Sequence, residues 1–224
     1  MFKCRHLFMI LLLASSSLIL KAQDDVLAVG LRTGHNVAFG HFAAVSLETM
    51  QTFLEDFSVS GGVQYSTIGK VAIEACSAYI MDFDWGCLSP EVMMAYTSLM
   101  PITNFAVGAG VSVDFKRVKT TLGYYYRHYG IPGYRIIEPF NVYYECSVQF
   151  LQKIKDWDLQ FSVTNNEIFE LERHFQPSFI LQCFYYPVHK LGISLGIGCK
   201  PAGMFNMSAD YYQSYLKAGV CYRW

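Results

Sequence analysis

Between residues 140 and 150 the chain alternates without a break. Phe140, Val142, Tyr144, Cys146, Val148 and Phe150 hold one parity, and Asn141, Tyr143, Glu145, Ser147 and Gln149 hold the other. The same pattern sets Leu191, Ile193, Leu195, Ile197 and Cys199 against Gly192, Ser194, Gly196, Gly198 and Lys200. It sets Leu216, Ala218, Val220, Tyr222 and Trp224 against Tyr215, Lys217, Gly219, Cys221 and Arg223. Successive side chains point to opposite faces of a strand, so each run is a strand with one apolar and one polar face. No segment beyond residue 22 has helical periodicity of comparable strength. Twelve such runs are predicted: 26–34, 42–52, 56–66, 70–81, 88–98, 104–115, 118–129, 139–151, 157–165, 174–186, 190–200 and 213–224. The run 88–98 is the weakest, and dropping it with a neighbour would leave ten. Short connections at 116–117, 153–156 and 188–189 alternate with longer ones at 35–41, 130–138, 166–173 and 201–212. An even number of strands, joined by short turns at one end and longer loops at the other, describes an up-and-down barrel. About 17 residues per strand and connection leave no room for a second domain.

Alternation does not say which face is inside, because a soluble barrel alternates too. Composition bears on the choice. The chain is 53% hydrophobic and 16% charged, against about 25% charged in an ordinary soluble domain. That excludes intrinsic disorder. A net charge of −1 without any Lys/Arg cluster excludes a strongly basic nucleic-acid binder. Residues 1–22 read as a secretory signal peptide: Lys3, Arg5 and His6 precede an apolar core at 7–13, and Ala22 offers a small residue before the cut. The apolar stretch is too short to span a bilayer of about 30 Å as a helix. Cys4 precedes the apolar core and is no lipid-attachment cysteine. Residues 23–224 would then be exported.

Three features favour the membrane form of the barrel. The polar face is rich in Gly, Ser, Ala and Thr and carries about one charge per strand, far fewer than a water-facing surface. Aromatics gather toward both strand ends on the apolar face, with Phe57, Phe115, Phe150, Trp157, Tyr185, Tyr222 and Trp224 near one rim. Tyr65, Tyr96, Phe105, Tyr124, Tyr126, Phe140 and Tyr144 fall toward the other, as expected of two interfacial girdles. Only a closed barrel satisfies every backbone group of such a sheet in lipid. The expected fold is therefore all-β, a closed antiparallel up-and-down transmembrane β-barrel of about 12 strands, with 10 as the alternative.

At this point the chain resembles the outer-membrane β-barrel proteins of Gram-negative bacteria, over all of 23–224. The most specific part is Tyr215–Trp224, which looks like the C-terminal signal of such proteins: alternating apolar residues ending on an aromatic. The usual last residue is Phe, and Trp224 is a variant of it. The resemblance implies an outer-membrane location, a lipid bilayer as surroundings, and a barrel-assembly machinery that reads Tyr222 and Trp224.

With the polar face inward, the lumen gains Glu74, Glu91 and Asp114 on one wall. Arg32, Lys200, Lys217 and Arg223 fall on strands that become neighbours once the barrel closes. Glu48, Glu145, Asp158, Lys119 and Arg127 complete the charged set. Such walls either bias ions in a narrow aqueous pore or pair and seal it, since buried charges need partners. Gly and Ser leave space in the lumen, while Tyr125, Tyr129, Tyr143, Phe184 and Tyr186 consume it. Two functions follow: a narrow channel or porin-like passage for small polar solutes, or a structural or accessory barrel subunit with a sealed lumen that holds a membrane-protein partner. No catalytic, cofactor or metal motif is present. His35, His41, His128 and His174 map to one end, but without His-x-His or His-x-x-x-His spacing. Gly108-Ala109-Gly110 and Gly196-Ile197-Gly198 lie inside strands and read as places of close backbone approach. Cys146, Cys183 and Cys199 fall on apolar faces as small hydrophobes.

Overall fold

The computed structural model describes residues 25–36, 40–53, 56–131, 133–151, 157–165, 177–201 and 213–224. The expected signal at 1–22 and His174 lie outside them. The strands are β1 (Val26–Asn36), β2 (Gly40–Phe53), β3 (Phe57–Ser66), β4 (Val71–Tyr79), β5 (Met81–Phe83), β6 (Gly86–Leu99) and β7 (Ile102–Phe115). They continue with β8 (Val118–Ile131), β9 (Tyr134–Leu151), β10 (Trp157–Thr164), β11 (Ser178–Val188), β12 (Leu191–Lys200) and β13 (Gln213–Arg223). Each pairs with its neighbours in sequence, except that β4 and β5 both pair with β6, and β1 pairs with β13, so the sheet closes on itself. All pairings are antiparallel.

The closed barrel has twelve staves, because β4 and β5 are two pieces of one stave. The break has a local cause. β4 pairs with β6 only as far as Ala78↔Glu91, and pairing resumes at Met81↔Leu88. Pro90 sits between these points. It has no N–H to give to a ladder, so it belongs where the ladder is interrupted. The same proline weakened the sequence signal of 88–98, which is in fact part of a 14-residue strand.

The stretches 35–41 and 130–138, expected as longer loops, are largely strand. β8 and β9 stay paired to Ile131↔Tyr134, and β1 and β2 to Asn36↔Gly40. Short polar turns do occur at the opposite end, with Lys116 at φ 57 in the two-residue turn between β7 and β8.

Size follows from register. The partner series from Leu151 runs through Asp158, Phe184, Ser194, Gly219 and Gly30, then Ser46, Gln64, Ala72, Thr97, Asn104 and Tyr129. It returns to β9 at Ile136, a stagger of 151 − 136 = 15 residues, one of which belongs to the bulge opposite Tyr125–Arg127. A shear of about 14 on twelve strands means a tilt of roughly 40° and a backbone radius of about 12 Å. Tyr or Arg side chains standing upright from opposite walls would meet near the axis.

The sign of the faces is unambiguous. Leu195 is 62% exposed, Leu216 59% and Leu31 58%, and all three point outward. Inward positions of the same strands hold Gly, Ser, Lys and Arg. A soluble barrel would not present a continuous apolar wall of this extent to water. Trp157 packs on Tyr185 at 4.6 Å and Tyr222 on Trp224 at 6.2 Å, on the outer wall at the turn end. Tyr65, Tyr96, Phe105, Tyr124 and Tyr126 stand exposed on the outer wall of other staves.

Candidate functional site

The lumen wall is organised by rows that cross the strands. In the row Glu91–Gly110–Gly123–Tyr143, four register partners lie on β6, β7, β8 and β9. Tyr143 lies flat over both glycines. A methyl group at Gly110 or Gly123 would overlap its hydroxyl or ring. Its hydroxyl thus reaches Glu91 and donates to Oε1 at 3.0 Å, across 52 residues of sequence. Ser112 donates to the other oxygen, Oε2, at 3.0 Å, and shares a 2.7 Å hydrogen bond with Thr121. Neutral donors therefore hold this carboxylate at both oxygens.

The next row repeats the device. Tyr125 lies over Gly108 toward Met93, and its ring meets Tyr143 at 4.6 Å. Met93, Tyr125 and Tyr143 form a buried cluster, with Cys76 packed against it. Arg127, fully buried, has its guanidinium carbon 5.5 Å from the Tyr125 ring. The β6–β9 side of the lumen is thus filled.

The opposite side differs. Arg32, Lys217 and Arg223 are half-buried on β1 and β13, and Arg32 and Lys217 are register partners. The Arg32 guanidinium lies 3.6 Å from the centroid of Tyr215 and 5.7 Å from that of Phe42. Tyr215 can lie flat because its partner on β12 is Gly198, where a methyl group would collide with the ring. Arg223 donates to the Tyr186 hydroxyl at 2.9 Å and sits 4.5 Å from that ring's centroid. Lys200 is buried at the far end of β12. Cation–π contact holds each guanidinium against a ring face. The four cations climb the wall in axial order: Arg223 nearest the turns, Lys217 and Arg32 at mid-height, Lys200 nearest the loops.

Of the acidic residues expected opposite, Glu74 and Glu91 point inward and are half-buried, and Asp114 is inward but exposed near the turns, with Lys119 as register partner. Glu48 and Glu74 both close on Gly62, where a methyl group would lie 3.3 Å from Glu48 Cγ and 3.1 Å from Glu74 Oε1. Gln149 donates to Asp158. Tyr222 and Trp224 face outward on the closing strand, whose end is tied by the Trp224 N–H to the Asp25 carbonyl at 3.2 Å.

The histidines separate. His35 and His41 are register partners on the outer wall, whereas His128 sits on β8, on a different part of that wall. Among the described residues no group of three metal-ligand side chains occurs. The six cysteines at 76, 87, 146, 183, 199 and 221 are free thiols. Sequence reading did not find the tyrosine-on-glycine rows. The signal was there, in glycines of one strand whose register partners on the next are tyrosines, but using it requires the register.

No family model matches the sequence, and no curated protein matches it either. Solved structures do. The chain is similar to a KdgM porin in complex with disordered oligogalacturonate, at 12% identity and TM-score 0.56, covering 88% of this chain and 98% of that one. It is similar to the NanC porin at 13% identity and TM-score 0.55, covering 89% and 99%. It is also similar to outer membrane phospholipase A from Escherichia coli, at 7% identity and TM-score 0.51, covering 92% and 98%. These likenesses are of fold, and a fold that hosts both porins and a phospholipase does not by itself choose between transport and catalysis. What the chain shares with them is the closed antiparallel up-and-down β-barrel with an outward apolar wall.

Proposed function

We propose that the protein is a narrow, porin-like passage of the outer membrane that favours small anionic polar solutes. The observation that carries this reading is the asymmetry of the lumen. Its β6–β9 side is filled and holds Glu91 between neutral donors. Its β13–β1 side keeps three half-buried cations, Arg223, Lys217 and Arg32, in a ladder along the strands. A cationic wall facing a low-dielectric packed wall focuses the field and raises the local anion concentration. Flat-lying Tyr186 and Tyr215 add ring faces along the same track. The porin seen with oligogalacturonate supports the idea that a barrel of this fold can take a sugar acid.

Planar-bilayer recordings of the refolded protein under a salt gradient test the proposal. Wild type should show steps with a reversal potential displaced toward anions. Lys217→Gln and Arg32→Gln should each move it toward cations, and the effect should shrink near 1 M salt, where the screening length is about 3 Å. A wild type without conductance steps would remove the channel reading. It would leave the sealed barrel subunit, which the buried Arg127–Tyr125–Tyr143 layer would then explain.

A further inference from the structure

We propose that His35 and His41 form a two-imidazole site for a divalent transition-metal ion of the Zn2+, Cu2+ or Ni2+ class, on the outer wall at the loop end of the barrel. The two residues are direct cross-strand partners on β1 and β2. Their side chains share the outward face, and their rings meet at 4.8 Å between centroids with an interplanar angle of 72°. Each neutral imidazole offers one lone pair, and imidazole suits these ions. Paired strands fix the separation of the two donors, so little ordering is left for the ion to impose.

The position itself is unusual for this wall. On β6, β7 and β8 the corresponding row is Tyr96, Phe105 and His128, with a single imidazole among carbocyclic rings. At β1 and β2 both members of the pair are histidine. The pair opens onto a largely apolar groove of about 700 Å³, lined by Phe161, Phe179, Leu181, Ile197 and Leu216, with Thr33 and Ser214 as hydroxyls. Its volume leaves room for an ion beside the two rings. Among the described residues no third His, Cys, Asp or Glu is placed to join. Among the described residues the site is therefore bidentate. The ion would clamp the β1–β2 hairpin beside the seam where β1 meets β13. Nothing in this site depends on conductance.

The test uses the full mature barrel, refolded in detergent and carrying no oligohistidine tag. Calorimetric titration with Zn2+ and Ni2+ should give one ion per chain. With Cu2+, electron paramagnetic resonance should show superhyperfine splitting from two equivalent nitrogens. His35→Tyr and His41→Tyr keep an interfacial ring at each position. Each should weaken binding about tenfold or more while preserving heat-modifiable gel migration, and the double variant should lose little beyond either single one. Cys199→Ser should leave the affinity within about twofold of wild type. Equal binding by wild type and the double variant would overturn the assignment. So would a single nitrogen in the wild-type copper spectrum, which needs no variant to fold, or a loss in Cys199→Ser as large as in His35→Tyr.

Discussion

Gly110→Ala adds one methyl group to the inner wall where Tyr143 lies flat. That methyl would overlap the Tyr143 hydroxyl and sit 2.8 Å from its Cζ and 2.8 Å from the Leu122 carbonyl oxygen. The ring cannot stay, and leaving the wall breaks its hydrogen bond to Glu91. Overpacking of this kind costs about 1–3 kcal/mol. A hydrogen bond to a charged group contributes about 1.5–3 kcal/mol. Gly110→Ala should therefore destabilise the barrel by roughly 2.5–6 kcal/mol. In a Tyr143→Ala background the same methyl meets only the Leu122 oxygen, and most of that penalty should vanish. The double-mutant cycle should give a coupling of about 2–5 kcal/mol, most of that penalty. Denaturant titration in lipid vesicles, followed by tryptophan fluorescence, measures it, with Trp157 and Trp224 at the rim as reporters. Unit conductance supplies a second reading, since a displaced Tyr143 projects into the lumen and should lower it, while Tyr143→Ala should raise it. Equal destabilisation by Gly110→Ala in both backgrounds would refute the tyrosine-on-glycine row.

Three further outcomes are expected. Leu195→Arg puts a cation on the lipid face midway along β12 and should cost about 2–4 kcal/mol. Ser194→Arg, facing the lumen, should fold near normally, and equal loss in the same vesicle titration would reverse the faces. Removing 222–224 takes away the aromatic end of the closing strand and its backbone tie to Asp25. Heat-modifiable migration should then be lost, and unchanged migration would deny the segment a role in assembly. Mass spectrometry of the membrane fraction should find a chain beginning near residue 23, and a mature product in the detergent-free periplasmic fraction would contradict export to the outer membrane.

Period two made the fold legible. Parity assigned Leu195 to lipid and Ser194 to the lumen, and the structure has both so. Parity also brought Arg32, Lys200, Lys217 and Arg223 together, because closure makes β12, β13 and β1 neighbours. What parity cannot supply is the state of each charge. Glu91 looked equivalent to Asp114 in sequence, as two inward acids on adjacent strands. In the barrel the first is held by Tyr143 and Ser112 and the second stands exposed near the turns. The difference arises from a tyrosine 52 residues away that reaches across two glycines. It becomes visible only when four strands are in register.

Strand ends were the other blind spot, and their physical cause is the same. Turn residues such as Lys116–Arg117 stop a strand wherever they occur, but a two-sided polar end carries no alternation to mark it. The stretch 35–41 therefore read as a loop bearing two of four rim histidines. The hairpin is tighter than that: β1 runs to Asn36 and β2 starts at Gly40. Those two extra residues on β1 and two on β2 convert His35 and His41 from loop neighbours into a fixed cross-strand pair. They also separate the pair from His128, which extension of β8 to Ile131 holds on a different part of the wall. A cluster of four mobile ligands would have bound an ion only by ordering a loop. Two ligands held by paired strands need no such ordering, and for that reason the smaller set is the better site.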